Sequence, residues 1–475
     1  MVGLLVSAAH KSSGKTTVSL GLSAALTAQG TVVQPFKKGP DYIDPMWLAL
    51  AAGRPCYNLD AWLMDDATLA ACFAQRSAGA DLALVEGNKG LFDGLALDGS
   101  NSNAALAARL NLPVLLVIDS RGMTRGIAPL ILGYQAFDKN IRIGGVILNR
   151  VGGSRHESKL RAVIEHYTDV PVLGAVAEDP QLAMTERHLG LMPTAEVTDA
   201  QQRVQAIGRI VGRQVDLHRV KALAATTEPG APALPGAAPR AADVRIGIAQ
   251  DRAFGFYYPD DLAALRDAGA ELVPIDTLHD TRLPPVDGLF IGGGFPETCL
   301  PELQANTALR SALRQAIEAG LPTYAECGGL KYLSRSITWQ GHTAQMVGVI
   351  PGDAVMHARP VGRGYVQLQA TADAAWFTPG EVLRGHEFHH SSLDKLDPAV
   401  RFAFRVQRGH GVDGLHDGVR LHEMLASYAH LRSIAGTNWA PRFVAHVRKL
   451  QQARSRPAKA AALPVISPTP AAVVC

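Results

Sequence analysis

A lone cysteine in Tyr324-Ala325-Glu326-Cys327-Gly328-Gly329-Leu330 follows the apolar stretch 320–323 and precedes a helix start. Two glycines directly behind a thiol at a strand-to-helix turn are the composition of a nucleophile elbow. Small residues avoid a backbone clash there, and helix amides beside the thiol favour thiolate and oxyanion. The chemistry expected is attack of sulfur on a carbonyl. Near the other end of the chain, Ser12-Ser13-Gly14-Lys15-Thr16-Thr17 carries the Gly-Lys-Thr of a phosphate-binding loop, although Ala9 replaces the usual first glycine. In such a loop backbone amides cradle phosphates, the lysine reaches the terminal phosphates and the hydroxyl binds magnesium. Few enzyme classes need thiol and nucleotide chemistry on one polypeptide.

Further charged residues gather after the loop. Phe36-Lys37-Lys38-Gly39-Pro40-Asp41-Tyr42-Ile43-Asp44-Pro45 sets two lysines and two acids around a Gly-Pro turn, read as directly following a strand. Carboxylates beside a triphosphate are tolerated with magnesium or lysine between them, so Asp41 and the Thr16 hydroxyl become candidate magnesium-side groups. A solvated polar turn is the plain alternative. Glu86 ends the strand-like run 82–85 at the carboxyl edge of a sheet, where such folds bind ligands, and is a third candidate. Asp119 has the same placement, or caps the next segment. Gly292-Gly293-Gly294 after another strand lets amides approach a bound group or makes a tight strand exit; its relation to Cys327 favours the first. His386, His389 and His390 are the densest of the 16 histidines. Adjacent His389 and His390 on an extended segment would point to opposite faces, which argues against a three-histidine metal site.

Parallel strands must position these groups. Residues 3–7, 80–86, 113–119, 143–149 and 170–174 are short Val, Leu and Ile runs without polar alternation, separated by helix-like segments. Such runs suit strands buried on both faces of a doubly wound parallel sheet. A second α/β unit begins with Val244-Arg245-Ile246-Gly247-Ile248-Ala249, continues through a helix over 262–268 and reaches a strand over 288–291. The domain expectation is 1–221 for the nucleotide half, 222–242 for an Ala/Pro-rich linker and 243–450 for the thiol half. Residues 451–475 are expected to be a disordered tail.

Composition narrows the partners. With 46 Lys+Arg against 43 Asp+Glu there is no basic field for nucleic acid. The five cysteines lack any Cys-x-x-Cys spacing, which excludes a disulfide framework and suits a reducing cytoplasm. The opening Met1-Val2-Gly3-Leu4-Leu5-Val6 lacks a basic leader and reads as a buried strand, and no apolar run reaches membrane-spanning length. A soluble chain acting on a small molecule is expected.

Ordered motifs along nearly the whole chain resemble the cobyrinic (or hydrogenobyrinic) acid a,c-diamide synthases, glutamine-dependent amidotransferases. They include Gly39-Pro40-Asp41-Tyr42-Ile43-Asp44-Pro45, Gly90-Leu91-Phe92-Asp93-Gly94, Gly292-Gly293-Gly294-Phe295-Pro296-Glu297, Glu326-Cys327-Gly328-Gly329 and Ala426-Ser427-Tyr428-Ala429-His430-Leu431. The resemblance implies a dethiobiotin-synthetase-like first domain and a class I glutaminase-like second domain. It implies Cys327 as nucleophile, His430 as its base, and amides near Gly293 and Gly328 as the oxyanion site. It further implies ATP on Ser12, Ser13, Gly14, Lys15, Thr16 and Thr17, with Mg2+ near Thr16, Asp41 and Glu86. Lys37, Tyr42 and Asp44 look like substrate- or phosphate-side residues. Glutamine and a tetrapyrrole polycarboxylate are the implied partners, without nucleic acid or membrane; a homodimer is compatible. The family usually has His-x-His where this chain has His430-Leu431-Arg432, and Cys299 and Lys331 also depart from the pattern.

Three other readings compete. The same chemistry on sirohaem or sirohydrochlorin side chains fits the motifs. A phosphate-loop switch ATPase with a C-terminal interaction domain predicts a lysine at His10 and no Cys-His pair. A glutaminase with an idle first domain leaves the acids of 41–44 unexplained.

Overall fold

The computed structural model describes residues 2–187, 190–225, 240–434 and 436–455. The amino-terminal strands are β1 (Gly3–Ala8), β2 (Val33–Lys38), β3 (Tyr57–Leu59), β4 (Leu82–Glu86), β5 (Val114–Asp119), β6 (Ile143–Val151) and β7 (Val172–Ala177). They form one sheet in the order β3-β2-β4-β1-β5-β6-β7, with every neighbouring pair parallel. Leu4, Leu84 and Leu115 pack into a core with Val18 and Leu22 of helix α1 (Lys15–Ala28). Their sequence neighbours Leu5, Val85 and Leu116 enter a second core with Leu106 and Leu160. Successive side chains on a strand face opposite ways, so unbroken apolar runs require cover on both sides, and this sheet has it.

That topology puts the chemistry on one edge. The loop 9–14 leaves the carboxyl end of β1, and Lys37 of β2 stands in register with Glu86 of β4. Lys37 and Lys38 therefore lie within β2, not after it. A strand that ends at the ligand edge can carry its own polar groups. β3, with only three residues, gave no readable apolar run.

The second half is built on a ten-stranded sheet. Ala270–Ile275, Val244–Ala249, Gly288–Ile291, Thr323–Glu326 and Met424–Ser427 run side by side and parallel. An antiparallel extension follows: His416–Leu421, Arg401–Arg408, Gly362–Ala370, Val382–His389 and His430–Leu431. This extension returns His430 to the carboxyl edge of the parallel part.

The two halves touch through polar side chains. Arg432 donates to the Asn58 carbonyl at 2.7 Å, Tyr365 to Asp60 at 2.8 Å, and Arg76 to Asp260 at 3.2 Å. The helix Leu217–Ala224 runs past the expected start of the linker at 222, and residues 226–239 lie outside the described residues. The helix Trp439–Ser455 likewise runs past the expected start of the tail at 451; the disorder expected of 456–475 falls outside the described residues. Among the described residues no helix is long and apolar enough to cross a membrane.

Candidate active site

The thiol half begins at the turn between Thr323–Glu326 and the helix Gly328–Leu333. Cys327 there has φ 45° and ψ −92°, a conformation that a non-glycine residue holds only where its surroundings over-determine it. The Cys327 N–H donates to the Ser427 carbonyl at 2.7 Å, and its own carbonyl accepts from Lys331 N at 3.1 Å. The following glycines are required by close approach: a Cβ on Gly329 would lie 2.1 Å from the Ile291 oxygen, and one on Gly328 2.7 Å from Gly294 N. A Cβ on Gly293 would meet His430 Cε1 at 2.6 Å. Gly293, Gly328 and His430 thus lie close together, where the strand exit meets the start of the helix that follows Cys327.

His430 lines the same cleft as Cys327, and its Nδ1 lies 3.2 Å from Glu326 Oε2. Glu326 is itself fixed: Oε1 accepts from Tyr324 Oη at 2.7 Å and from the Leu431 N–H at 3.0 Å. Burial alone would depress the imidazolium, but hydrogen bonds to Cys327 and Glu326 and the charges of both raise it to about 10. This is a buried Cys-His-Glu chain able to hold a thiolate-imidazolium pair. The Glu326-Cys327-Gly328-Gly329 motif by itself suggests no role for Glu326, because neighbours on a strand ordinarily face apart.

The phosphate half is equally specific. Gly14 has φ 85°, and a side chain there would collide with Asn149, whose Nδ2 donates to Ser13 O at 2.8 Å. The first turn of α1 holds no acidic residue, so its N-terminal amides suit an anion. Ser13 Oγ donates to His10 O at 2.8 Å, Ser12 O accepts from Arg150, and Thr17 is half-buried on the first turn. Asp119 pairs with Arg121 and Arg150 at the rim of the loop, each at 2.7 Å.

Behind the loop, Thr16 Oγ1 donates to Glu86 Oε1 at 2.7 Å, and Lys37 Nζ donates to the same oxygen at 2.8 Å and to Asp44 at 2.5 Å. Lys15 Nζ is 3.9 Å from Glu86. Burial works against the Lys37 charge, yet Asp44, Glu86 and Asp41 outweigh it and hold the ammonium well above its usual range. Burial and the nearby Lys37 charge lower Lys15. Burial, then the Asp44 carboxylate, push Asp41 up to about 7. Glu86 Oε2 is buried and, among the described residues, has no hydrogen-bond partner. Glu86, the Thr16 hydroxyl and Asp41 offer oxygen donors only, the chemistry that magnesium takes. No cluster of three or more His, Cys, Asp or Glu able to hold a metal occurs among the described residues; magnesium ordinarily completes its shell with water and substrate phosphates.

Tyr42 joins the halves. It precedes helix α2 (Ile43–Ala52) and directly follows Asp41, yet its ring stacks on Phe256 at 5.4 Å and lies 5.2 Å from His430. Pro40, Asp41 and Tyr42 line the same cleft as Cys327 and His430. His386, His389 and His390 line this cleft too, so adjacency did not separate the last two as expected; one belongs to Val382–His389 and the other lies just past its end. His386 stacks on His430 at 4.9 Å and His389 on Tyr428 at 3.9 Å. Lys331, unexpected at its position, forms a buried pair with Glu297 at 2.5 Å in the cleft.

Residues 245–436 match the CobB/CobQ-like glutamine amidotransferase domain family, and residues 2–186 match the AAA domain family. A protein of Magnetococcus marinus named cobyrinate a,c-diamide synthase is 48% identical over 92% of this chain and 95% of its own length. Proteins of the same name from Methanosarcina acetivorans and Synechocystis sp. are 40% and 39% identical over 95% and 90% of this chain, and over 96% and 90% of their own. With such identity across a thiol half and a nucleotide-binding half, the chain belongs to the cobyrinate a,c-diamide synthase family of glutamine amidotransferase ligases.

Proposed function

We propose that the protein converts the a- and c-acetate carboxylates of cobyrinic or hydrogenobyrinic acid to amides, using glutamine nitrogen and ATP. Cys327 Sγ attacks the glutamine amide carbon while His430 takes the thiol proton and delivers it to the departing ammonia. Amides near Gly293 and Gly328 receive the oxyanion, and water then cleaves the glutamyl thioester to glutamate. In the other half, an oxygen of the acceptor carboxylate attacks the γ-phosphorus of ATP on Gly14, Lys15 and Thr16, and ADP leaves. Ammonia displaces phosphate from the resulting acyl phosphate. Activation is needed because a carboxylate is resonance-stabilised and offers no leaving group.

Ser12, Ser13 and Thr17 complete the nucleotide loop, and Lys37 and Asp44 steady the reacting phosphate side. Thr16, Asp41 and Glu86 would hold Mg2+, which neutralises phosphate charge when bound. The four free cysteines among the described residues support a cytoplasmic setting.

The observation that carries this reading is the single cleft in which Asp41 and Tyr42 meet Cys327 and His430. Incubation with ATP, Mg2+, glutamine and either cobyrinic acid or sirohaem-type acids tests it by mass spectrometry, at a loss of about one mass unit per amide. Amidation of the sirohaem-type acids alone would overturn the acceptor named here.

A further inference from the structure

The antiparallel extension presents a face that the chemistry above does not use. Gly362–Ala370 pairs with Val382–His389 and with Arg401–Arg408, and Gln367 stands in register with both Arg384 and Arg408. The two guanidinium carbons lie 5.1 and 4.8 Å from the centre of the Trp62 ring, which the other half supplies. Trp62 also stacks on Tyr365 at 5.4 Å, and Arg384 donates to the Trp62 carbonyl at 3.2 Å. Four residues back from Gln367 along the same strand, Arg363 pairs with Phe388 and lies over its ring at 5.1 Å. All three arginines are exposed, and among the described residues none has a carboxylate partner.

Several cations gathered without counter-charge repel one another, an arrangement that favours an anion not present in the chain. Asp60, beside Trp62 and Tyr365, is already engaged by the Tyr365 hydroxyl and the Trp62 backbone N–H. Arginine stacked on an aromatic ring keeps its outer N–H edge free and fixed, ready for bidentate carboxylate binding.

The face is also continuous with the reaction centre. Tyr365 pairs with His386, which stacks on His430. A Cβ on Gly39, in the turn between Lys38 and Asp41, would lie 4.0 Å from the Tyr365 hydroxyl. Lys38 Nζ, buried beside that turn, donates to neutral oxygens of Asn88 and Asn101.

We infer that Arg384 and Arg408, braced on Trp62, bind the carboxylates of the acceptor that are not being amidated. The platform so formed holds a flat polycarboxylate against Tyr365 with its reacting acetate toward Asp41 and Lys37. This inference rests on the tetrapyrrole reading above.

Cobyrinic acid is the probe, and quenching of tryptophan fluorescence reports its binding apart from turnover. Arg384→Gln and Arg408→Gln should each weaken binding and raise KM for cobyrinic acid about tenfold, with kcat falling less than KM rises. Arg→Lys at either position should recover part of the loss. Added salt should weaken wild-type binding more than that of the double variant. Thermal unfolding midpoints check that the variants fold. Wild-type affinity in the double variant, or no binding by the wild type, overturns the platform. Binding by the wild type that the double variant loses, without amidation by either, supports the platform and overturns the reaction instead.

Discussion

His430 Nδ1 lies 3.2 Å from a carboxylate oxygen of Glu326, the residue immediately before the cysteine that shares the same imidazole. On a regular strand these neighbours would face apart. The turn at Cys327, with φ 45°, brings both to one ring.

Glu326→Gln should therefore strike glutamine hydrolysis selectively. The amide cannot balance an imidazolium, and a comparable loss of the orienting carboxylate in a serine hydrolase costs about 10⁴-fold. Amidation driven by high free ammonia should persist, as read by ADP release and product mass. Equal loss of both activities would assign Glu326 to folding alone.

Cys327→Ala removes the nitrogen source and leaves the acceptor of nitrogen intact. Glutamine-dependent amidation should fall by several orders of magnitude, on the order of the 10⁶-fold seen when a nucleophile is removed from a triad. Ammonium chloride at high pH should restore the product. Failure of ammonia to rescue would argue against two separable half-reactions.

The raised His430 implies a definite pH dependence of stability. Its folded value of about 10 lies above the ordinary 6.5, so the folded state keeps a proton that the unfolded chain releases between them. The stabilisation is complete below about pH 6.5 and is lost as pH rises toward 10. The difference in thermal midpoint between wild type and His430→Asn should shrink across that window. A difference that stays flat would exclude the buried imidazolium.

Glu86→Gln or Asp41→Asn should reduce amide formation about 10- to 100-fold with a raised Mg2+ requirement, while glutamine hydrolysis falls less. Steady-state assays of both activities against Mg2+ concentration check this.

Tyr42→Ala opens the wall between the half-sites, because this ring contacts Phe256, Tyr258, His386 and His430. Glutamine hydrolysis should continue, while the ratio of amide formed to glutamate released drops several-fold. Measuring both products in one reaction tests whether Tyr42 couples the two steps.

Much of this molecule was legible in the chain because it is local. The apolar runs of the parallel strands, the Gly-Lys-Thr ahead of a helix and the Cys-Gly-Gly at a turn each report short-range constraints: burial on two faces, a phosphate cradle, a backbone contact that only glycine allows. The strands over 362–431 were missed. Gly362–Ala370 alternates apolar with polar residues over its second half, Val366 to Ala370, and carries its own glycines, as one-sided antiparallel strands do. β2 runs on through Phe36, Lys37 and Lys38, which the sequence suggests follow the strand, because two lysines do not resemble a buried strand end.

What tertiary structure alone decided is which groups meet. The sequence determined that a thiol elbow and a phosphate loop exist, and through ordered motifs the family they resemble. Only folding decided that Glu326 turns back to His430, that Glu86 meets Thr16 and Lys37 through one oxygen, and that Tyr42 leaves the acids of its own turn to lie against the histidines of the other half. Such pairings join residues far apart in the chain, whose encounter depends on sheet order and register, and no short stretch of sequence contains either.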